Sequence, residues 1–332
     1  MAALDLVQLF ESLVMPLPAV AGSDLAAVPI PGAESHRLAK DSNGAPCLLI
    51  RQPSQSTRSV PIRLENLFVS FDVPCVITVP GSKLERDTFT IVRCSPANPR
   101  LFAHFLKIIF PLVAGLGPSP TTAAVRRAIS GLVELFQTLA VPARKTIQGL
   151  WAELLLIRVS PNPWAMAAAW HREPLEHFDF ADGPQRIEVK SSNSRRREHQ
   201  FSLEQLTPFG ALQIIVASIF VERAGGGVSL RKIVDDTRAL LAGEMALMTK
   251  FDSVVYTSLG SGWVDAMDEC FDWELAVNSI AFYRAESVPR PENLTPQIVF
   301  DVRFRSDLSS TPQFDRQQLR ELGGIFAAGV PH

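Results

Sequence analysis

The stretch that decides the fold is HFDFADGPQRIEVK, which covers residues 177–190. Polar and apolar residues alternate on both sides of Asp182-Gly183-Pro184-Gln185. This alternation predicts two strands that each bury one face, because successive side chains of a strand point to opposite faces. Asp-Gly followed by Pro is typical of a turn. The sequence therefore predicts a β-hairpin over about residues 176–192.

The register of this hairpin brings two carboxylates together. With a loop of residues 182–185, Ala181 pairs with Arg186, and Asp179 then lies opposite Glu188. One face carries Phe178, Phe180, Ile187 and Val189, and the other carries Asp179, Glu188 and Lys190. Opposed carboxylates repel each other, and a divalent cation such as Mg²⁺ or Mn²⁺ would reverse this effect.

Lys190 lies two residues beyond Glu188 and projects from the same face. Its ammonium group could hold or polarise a metal-bound water and stabilise charge on a phosphate. A second interpretation stays open, in which the hairpin faces solvent and Glu188 and Lys190 form an exposed charged ladder.

Glu153 is a further candidate for the same site. It lies in TIQGLWAELLLI, residues 146–157, a predicted helix that is apolar on nearly every side and should be buried. A buried carboxylate is costly unless it is paired, protonated or bound to metal. Taken alone, this position favours an ion pair with Lys145 or Arg158, and next to the hairpin it suggests a third acidic ligand.

Basic residues follow the hairpin and could contact the phosphates of DNA. They are Arg195, Arg196, Arg197 and His199. The alternative is a solvated charged loop. Gln205 also has two interpretations, since Ser202-Leu203-Glu204-Gln205 matches a capping box and the amide could equally reach substrate or water. His171 and His177 flank the hairpin without an H-E-x-x-H pattern, so each is predicted to be an ordinary buried or surface histidine.

Composition limits the class of protein. The chain has 332 residues, which predicts one large domain or two packed domains. Its net charge is −2, so any contact with DNA must use a local basic patch. The four cysteines are far apart and form no C-x-x-C pair, which argues against a disulfide framework or a zinc knuckle and favours the cytoplasm.

Neither a signal peptide nor a membrane span is predicted. Asp5 and Glu11 interrupt the apolar N-terminus, and no basic region precedes it. The most apolar later stretch, residues 101–116, is short and contains Pro111, so it predicts a buried helix with a kink.

The change from strands to helices gives the predicted domain boundary. Residues from about 36 to 96 have strand-like patterns, and residues from about 99 to 159 predict three helices. The sequence therefore predicts a β-rich N-terminal region at 1–97. Residues 98–332 would form the second region, which contains the hairpin.

These residues together resemble the PD-(D/E)XK nuclease superfamily, and more narrowly a bacterial family of PD-(D/E)XK motif proteins, formerly a domain of unknown function. The resemblance is carried by Gly149-Leu150-Trp151-Ala152-Glu153-Leu154, Trp170, Asp179-Phe180, Glu188-Val189-Lys190-Ser191, His199 and Gln205-Leu206. It implies a restriction-endonuclease-like α/β core, with a mixed central sheet flanked by helices. Ala152 stands where the family has a glycine before the helix glutamate.

The resemblance also implies roles for the candidate residues. Asp179 and Glu188 would bind Mg²⁺ or Mn²⁺, Lys190 would assist the attacking water, and Glu153 would complete the acidic cluster. Gln205 would be a supporting polar residue.

The predicted function is that of a metal-dependent DNA endonuclease in a restriction-like or phage-defence system. Its implied partners are DNA and the methyltransferase and ATPase components of a defence locus, and self-association is left open. The alternative is a catalytically inactive subunit with a nuclease fold that binds DNA or serves assembly.

Overall fold

The chain folds as two units, Met1–Val141 and Pro142–His332. The structure is a computed structural model that describes residues 6–15, 25–51, 60–77, 85–95, 97, 99–138, 145–172, 176–207, 210–291 and 302–331. The sequence places the change from strands to helices at residue 97, whereas the units divide between Val141 and Pro142. The helices within residues 102–138 therefore belong to the first unit, together with the strands on which they pack.

The first unit contains one antiparallel sheet together with helices. Its elements are α1 (Leu6–Glu11), β1 (Leu25–Ile30), β2 (Ala33–Asp41), β3 (Pro46–Arg51), β4 (Ile62–Arg63), β5 (Leu67–Ile77), β6 (Glu85–Cys94), α2 (Phe102–Leu116) and α3 (Thr122–Thr138). The strands lie in the order β1-β2-β3-β6-β5-β4, and α2 packs against β2 and β3. This confirms that the N-terminal region is β-rich.

A turn and a buried proline are two local features of this unit, and the helix predicted around Pro111 is confirmed. Asn43-Gly44 forms the turn between β2 and β3, where Asp41 Oδ1 accepts hydrogen bonds from the backbone amides of Asn43 and Ala45. Pro111 lies buried inside α2. Among the residues that the structure describes, none of the helices combines the length and the apolar character that crossing a bilayer requires.

The second unit contains a mixed central sheet, further short strands outside that sheet, and helices. The strands are β7 (Phe180–Asp182), β8 (Gln185–Ser192), β9 (Glu198–Ser202), β10 (Gln213–Phe220), β11 (Arg223–Ser229), β12 (Cys270–Phe271), β13 (Ala281–Arg284) and β14 (Arg303–Asp307). The helices are α4 (Ile147–Val159), α5 (Pro163–Ala169), α6 (Leu203–Leu206), α7 (Leu230–Leu240), α8 (Met245–Leu259), α9 (Trp263–Ala266), α10 (Trp273–Ser279), α11 (Arg316–Glu321) and α12 (Gly324–Gly329).

The central sheet has the order β13-β10-β8-β7. Strands β8 and β10 are parallel, and the other two pairs are antiparallel. Helices α4 and α12 pack against β8, and α10 packs against β10. The predicted α/β architecture, a mixed central sheet flanked by helices, is therefore confirmed.

Helix α4 is the buried centre of this unit. Every residue from Leu150 to Ile157 is buried, as its apolar sequence predicts. The Thr146 side chain caps the helix by accepting a hydrogen bond from the Gly149 amide. Glu153 is thereby fixed in the interior on a rigid helix that packs against β8.

The hairpin has the predicted register near its turn. Phe180 pairs with Ile187 and Ala181 with Arg186. Asp182 also pairs with Gln185, so the loop contains two residues, Gly183-Pro184, rather than four. Gly183 has a φ of +48°, and proline fixes φ near −65°, which together match a type II′ turn.

The expected cross-strand pair of Asp179 and Glu188 does not form as a continuation of this ladder. Strand β7 begins at Phe180, and the backbone oxygen of Asp179 instead accepts a hydrogen bond from the amide of His171. The Asp179 side chain turns toward β8 by a different contact, because its Oδ2 accepts a hydrogen bond from the backbone of Val189.

Candidate active site

Asp179 is held at the start of the hairpin by two polar contacts. Its Oδ2 lies 2.8 Å from the Val189 amide nitrogen, and its Oδ1 lies 2.7 Å from Lys145 Nζ. The residue is 8% exposed. The bond to Val189 fixes the carboxylate beside β8, the strand that carries Glu188.

Glu153 approaches the same place from α4. Its Oε1 lies 2.6 Å from Lys145 Nζ, and its Oε2 accepts a hydrogen bond of 2.8 Å from Trp170 Nε1. The same Oε2 lies 3.1 Å from His171 Nε2. Among the described residues, the ion pair considered for Glu153 is formed with Lys145, which also contacts a hairpin carboxylate.

Lys145 links the helix to the hairpin. Its ammonium nitrogen contacts Glu153 and Asp179 and lies 3.1 Å from His171 Nε2. Burial disfavours the charged ammonium, but the two carboxylates outweigh burial and raise the pKa of Lys145 above its ordinary value. Lys145 is therefore a cation at neutral pH.

Glu188 and Lys190 form a second ion pair on β8. Lys190 Nζ lies 2.7 Å from Glu188 Oε1 and donates a hydrogen bond of 3.1 Å to Gln205 Oε1. Gln205 Nε2 donates a hydrogen bond of 2.6 Å to the same oxygen of Glu188. These three side chains thus form a closed set of contacts, and Glu188 is buried.

Gln205 takes part in both of the arrangements that the sequence left open. Its Oε1 accepts a hydrogen bond from the Ser202 amide, while Ser202 Oγ accepts one from the Gln205 amide. This is a capping box at the start of α6. Because Oε1 has two acceptor positions and Nε2 has two donors, one amide group serves both the cap and the Glu188–Lys190 pair.

The three carboxyl groups differ in acidity because their neighbours differ. Burial opposes ionisation of Glu153, yet Lys145 and His171 together lower its pKa to about 2. Burial and the charge of Glu153 raise the pKa of Asp179, against the opposing effect of Lys145. Burial and the charge of Asp179 raise the pKa of Glu188 to about 8. The shift at Glu188 reflects a negative charge crowded into a dry site.

Sequence reasoning does not assign two of these residues to the site. It predicts an ordinary histidine at His171, and it considers Lys145 only as an ion-pair partner for Glu153. His171 reaches the site because it lies two residues after the end of α5 at Ala169, and because its neighbour Trp170 bridges to Phe180 of the hairpin. The signal for Lys145 is its position immediately before the cap residue of α4.

Glu153, His171 and Asp179 fit a divalent cation. One donor atom from each lies within 4.8 Å of the others, and all three residues are buried. Carboxylate oxygens and an imidazole nitrogen suit Mn²⁺, and the carboxylates also suit Mg²⁺. The ammonium group of Lys145 already occupies the space among these atoms, which shows that the space attracts a cation. Glu188, predicted as a ligand, lies outside this group of three.

One of three comparisons with known proteins found a match. A family model described as "Putative PD-(D/E)XK family member (DUF4420)" matches residues 9–309. The chain belongs to this family. Neither the curated proteins nor the solved structures gave a significant match.

The PD-(D/E)XK motif maps onto the hairpin. The sequence predicts Asp179 at its first acidic position and Glu188-Val189-Lys190 as its (D/E)XK part; Asp179 directly precedes β7, and the other three residues lie on β8. Phe178 stands where the motif has its proline. Of these residues, Asp179 belongs to the group of three possible metal ligands, whereas Glu188 and Lys190 form the neighbouring ion pair on β8. The fold of this PD-(D/E)XK family member is nuclease-like.

Two of the four basic residues near the PD-(D/E)XK hairpin are accessible. The side chains of Arg195 and Arg196 are 71% and 77% exposed, and they pair with Glu222 and Glu198 at the surface. Exposed ion pairs of this kind are weak, so both guanidinium groups remain able to contact a phosphate.

The other two basic residues are used inside the protein. Arg197 donates hydrogen bonds to the backbone oxygens of Ser218 and Ser279 and lies over the Phe220 ring. His199 is 3% exposed, and its Nε2 lies 2.7 Å from Ser218 Oγ. The structure does not support the predicted phosphate contacts of Arg197 and His199, because both side chains point into the unit.

Proposed function

We propose that this PD-(D/E)XK family member is a metal-dependent deoxyribonuclease that hydrolyses phosphodiester bonds within DNA. The observation that carries the proposal is the convergence of Glu153 from α4 with Asp179 and Glu188 from the hairpin. Burying several carboxylates close together is costly to the fold, and burial raises the pKa of both Asp179 and Glu188. Such arrangements cluster at functional sites, and this one coincides with the motif residues of the family.

Glu153, Asp179 and His171 would hold Mg²⁺ or Mn²⁺. When bound, the ion would polarise a phosphate oxygen and make a bound water more acidic. The chain positions the ligands: Trp170 Nε1 holds Glu153 Oε2, and the Val189 amide holds Asp179 Oδ2. Both contacts leave Glu153 Oε1 and Asp179 Oδ1 directed at the same space, now filled by Lys145.

Lys190 would act on the attacking water or on the phosphate. Its ammonium carries three donors, contacts one oxygen each of Glu188 and Gln205, and lies 5.1 Å from the centroid of the Phe201 ring. Gln205 also holds Glu188 through Nε2, so the amide orients both members of the ion pair. The raised pKa of Glu188 lets its carboxyl group take up and release a proton near neutral pH.

DNA is the proposed substrate, and Arg195 and Arg196 are the proposed phosphate contacts. Their exposure and their position between β8 and β9 support this part of the proposal. A role in a restriction-like or phage-defence system, with methyltransferase and ATPase components as partners, rests on the family resemblance.

A second candidate function is a DNA-binding or assembly subunit that does not cut. One observation favours it: the site carboxylates are already paired with the chain's own lysines, Lys145 and Lys190. Such internal pairing would let a nuclease fold persist without a metal ion.

A comparison of DNA cleavage by the wild type and by the Lys190→Ala variant separates the two candidate functions. The wild type should cut plasmid and short duplex DNA with Mg²⁺ or Mn²⁺, and the variant should be slower by a factor of about 10² or more, because it lacks a group that stabilises charge in the transition state. DNA binding should change little, since one phosphate contact is a small part of an electrostatic interface. Lys232→Ala is the matched control, because Lys232 pairs with Asp236 on the surface of α7.

If wild type and Lys190→Ala are equally inert with both metals, yet bind DNA equally well, the nuclease proposal fails and the subunit proposal stands.

A further inference from the structure

The ammonium group of Lys145 lies among the same atoms that could bind a divalent cation. Its nitrogen is 2.6 Å from Glu153 Oε1, 2.7 Å from Asp179 Oδ1 and 3.1 Å from His171 Nε2. Donor atoms of these three residues lie within 4.8 Å of one another. One small space is therefore shared by the internal cation and by any ion that these residues could ligate.

The two cations cannot occupy this space together. Mg²⁺ requires oxygen ligands at about 2.0–2.1 Å, which places the ion between Glu153 and Asp179 and within contact distance of Lys145 Nζ. Two positive charges at such a separation repel strongly in a buried site. The side chain of Lys145 is 17% exposed, so solvent screens the repulsion only in part.

The Lys145 side chain is also able to move out of the site without disturbing α4. Lys145 precedes Thr146, the cap residue of α4, and its backbone is anchored by a hydrogen bond from its amide to Ser258 O. The side chain is a flexible chain of four methylene groups. The ammonium can therefore swing away while the Lys145 backbone and α4 remain in place.

We propose that the Lys145 ammonium is the internal cation of the metal-free site, and that a divalent cation binds there only by displacing it. This inference rests on the proposed metal-dependent function. The apparent metal affinity then equals the affinity of the open site multiplied by the fraction of molecules in which the site is open. If the ammonium occupies the site for about nine tenths of the time, affinity for the ion is about tenfold weaker than the ligands alone would give.

Lys145→Met tests the proposal by calorimetric titration with Mn²⁺. Methionine keeps an apolar chain of similar length and removes the charge. The variant should bind Mn²⁺ about tenfold or more tightly than the wild type. In EDTA it should melt at a lower temperature than the wild type, and Mn²⁺ should raise its melting temperature by more, because the ion then replaces the missing cation.

Arg238→Met is the matched control. Arg238 forms a buried ion pair with Asp252 at 2.5 Å, between α7 and α8. Its loss should also lower the melting temperature in EDTA, but the affinity for Mn²⁺ should equal that of the wild type. This separates displacement from a general effect of removing a buried cation.

The outcomes are distinguishable. Equal or weaker Mn²⁺ affinity in Lys145→Met overturns displacement and leaves the proposed function standing. Absence of Mn²⁺ binding in both proteins overturns both. Binding by the variant alone supports displacement and shows that the wild type is closed to the ion, which contradicts the metal-dependent function.

Should Lys145→Met fail to fold, amine acylation of the wild type followed by mass spectrometry supplies the test. Saturating Mn²⁺ should increase labelling of Lys145, because the displaced ammonium moves into solvent. Labelling of Lys250, which donates to the backbone oxygens of Ala167, Ala168 and Trp170, should not change. Unchanged labelling of Lys145 overturns the proposal.

Discussion

His199 shows how a single residue can be misassigned when only its neighbours in sequence are known. It follows three arginines and a glutamate, which suggests a charged surface. In the fold it lies on β9, and its ring faces the interior next to Ser218. Burial, with the charges of Lys190 and Arg197, lowers the pKa of His199 to about 4. The side chain is therefore neutral at physiological pH.

This burial predicts a loss of stability in mild acid. Unfolded His199 has an ordinary pKa near 6.5, whereas the folded protein holds it near 4. At this residue the unfolded state thus binds more protons than the folded state as pH falls from about 6.5 to 4, so the contribution of His199 to the free energy of unfolding decreases over this interval. Urea denaturation at pH 7 and pH 5 should show a smaller decrease for His199→Gln than for the wild type.

The control for this measurement is His177→Gln, since His177 is exposed. Its pH dependence should equal that of the wild type. An identical decrease for His199→Gln and the wild type would contradict the assignment of His199 as a buried neutral histidine.

At the scale of elements, the hairpin turn sets the position of the site. Gly183-Pro184 closes β7 onto β8 in two residues, and Gly183 has a φ of +48°. Residues that carry a Cβ are strained at the first central position of a type II′ turn, whereas glycine is not. No atom would lie within 4 Å of an added Cβ at Gly183, so the cost of a side chain there is backbone strain alone.

Gly183→Ala should therefore lower the free energy of unfolding by about 1–2 kcal/mol, measured by urea denaturation. Gly226→Ala is the matched control: its φ is not in the left-handed region, and a Cβ there also meets open space. It should change stability by less than about 0.5 kcal/mol. Equal effects of the two substitutions would rule out the assigned turn.

The sequence predicts an element well when the element depends on contacts between residues that are close together in the chain. Alternation around Asp182-Gly183 predicts the hairpin and most of its register, because these are local properties. The apolar run around Glu153 likewise predicts a buried helix. The two-residue loop and the turn of Asp179 toward Val189 do not follow from the sequence, because they depend on contacts with β8 and with the segment that follows α5.

Long-range packing explains the remaining differences in the candidate site. His171 enters the site only because α5 delivers it beside α4. The Arg197 guanidinium is held inside the unit because Ser218 and Ser279, which are 21 and 82 residues away in the chain, accept its hydrogen bonds. Residue spacing along the chain contains no signal for either contact. Gln205 lies between these cases, since its helix cap is local and its contact with Glu188 is not.

At the scale of the whole molecule, the net charge of −2 means that the proposed DNA binding would depend on a local group of exposed cations. Replacing Arg195 and Arg196 with alanine should weaken binding to every duplex and reduce the slope of log affinity against log salt by about one for each phosphate that is no longer neutralised. The measurement is fluorescence anisotropy at several salt concentrations. Cleavage at saturating DNA should persist.

The matched control is the double substitution of Arg223 and Arg231 with alanine. These arginines are also exposed and paired with carboxylates, Glu269 and Asp268. If both double variants show the same decrease in affinity and in salt dependence, the interface is not formed by Arg195 and Arg196.

The packing of α12 against the hairpin has a consequence for folding during synthesis. Gln185 donates a hydrogen bond to Leu322 O, 137 residues later, and α12 covers β7, β8 and α4. Ribosomes add roughly 5–20 residues per second, so α12 is synthesised on the order of ten seconds after the hairpin. The cover over β7, β8 and α4 is therefore complete only after nearly all of the second unit has been synthesised, whereas the partners of the acidic side chains, which lie within residues 145–205, are present much earlier.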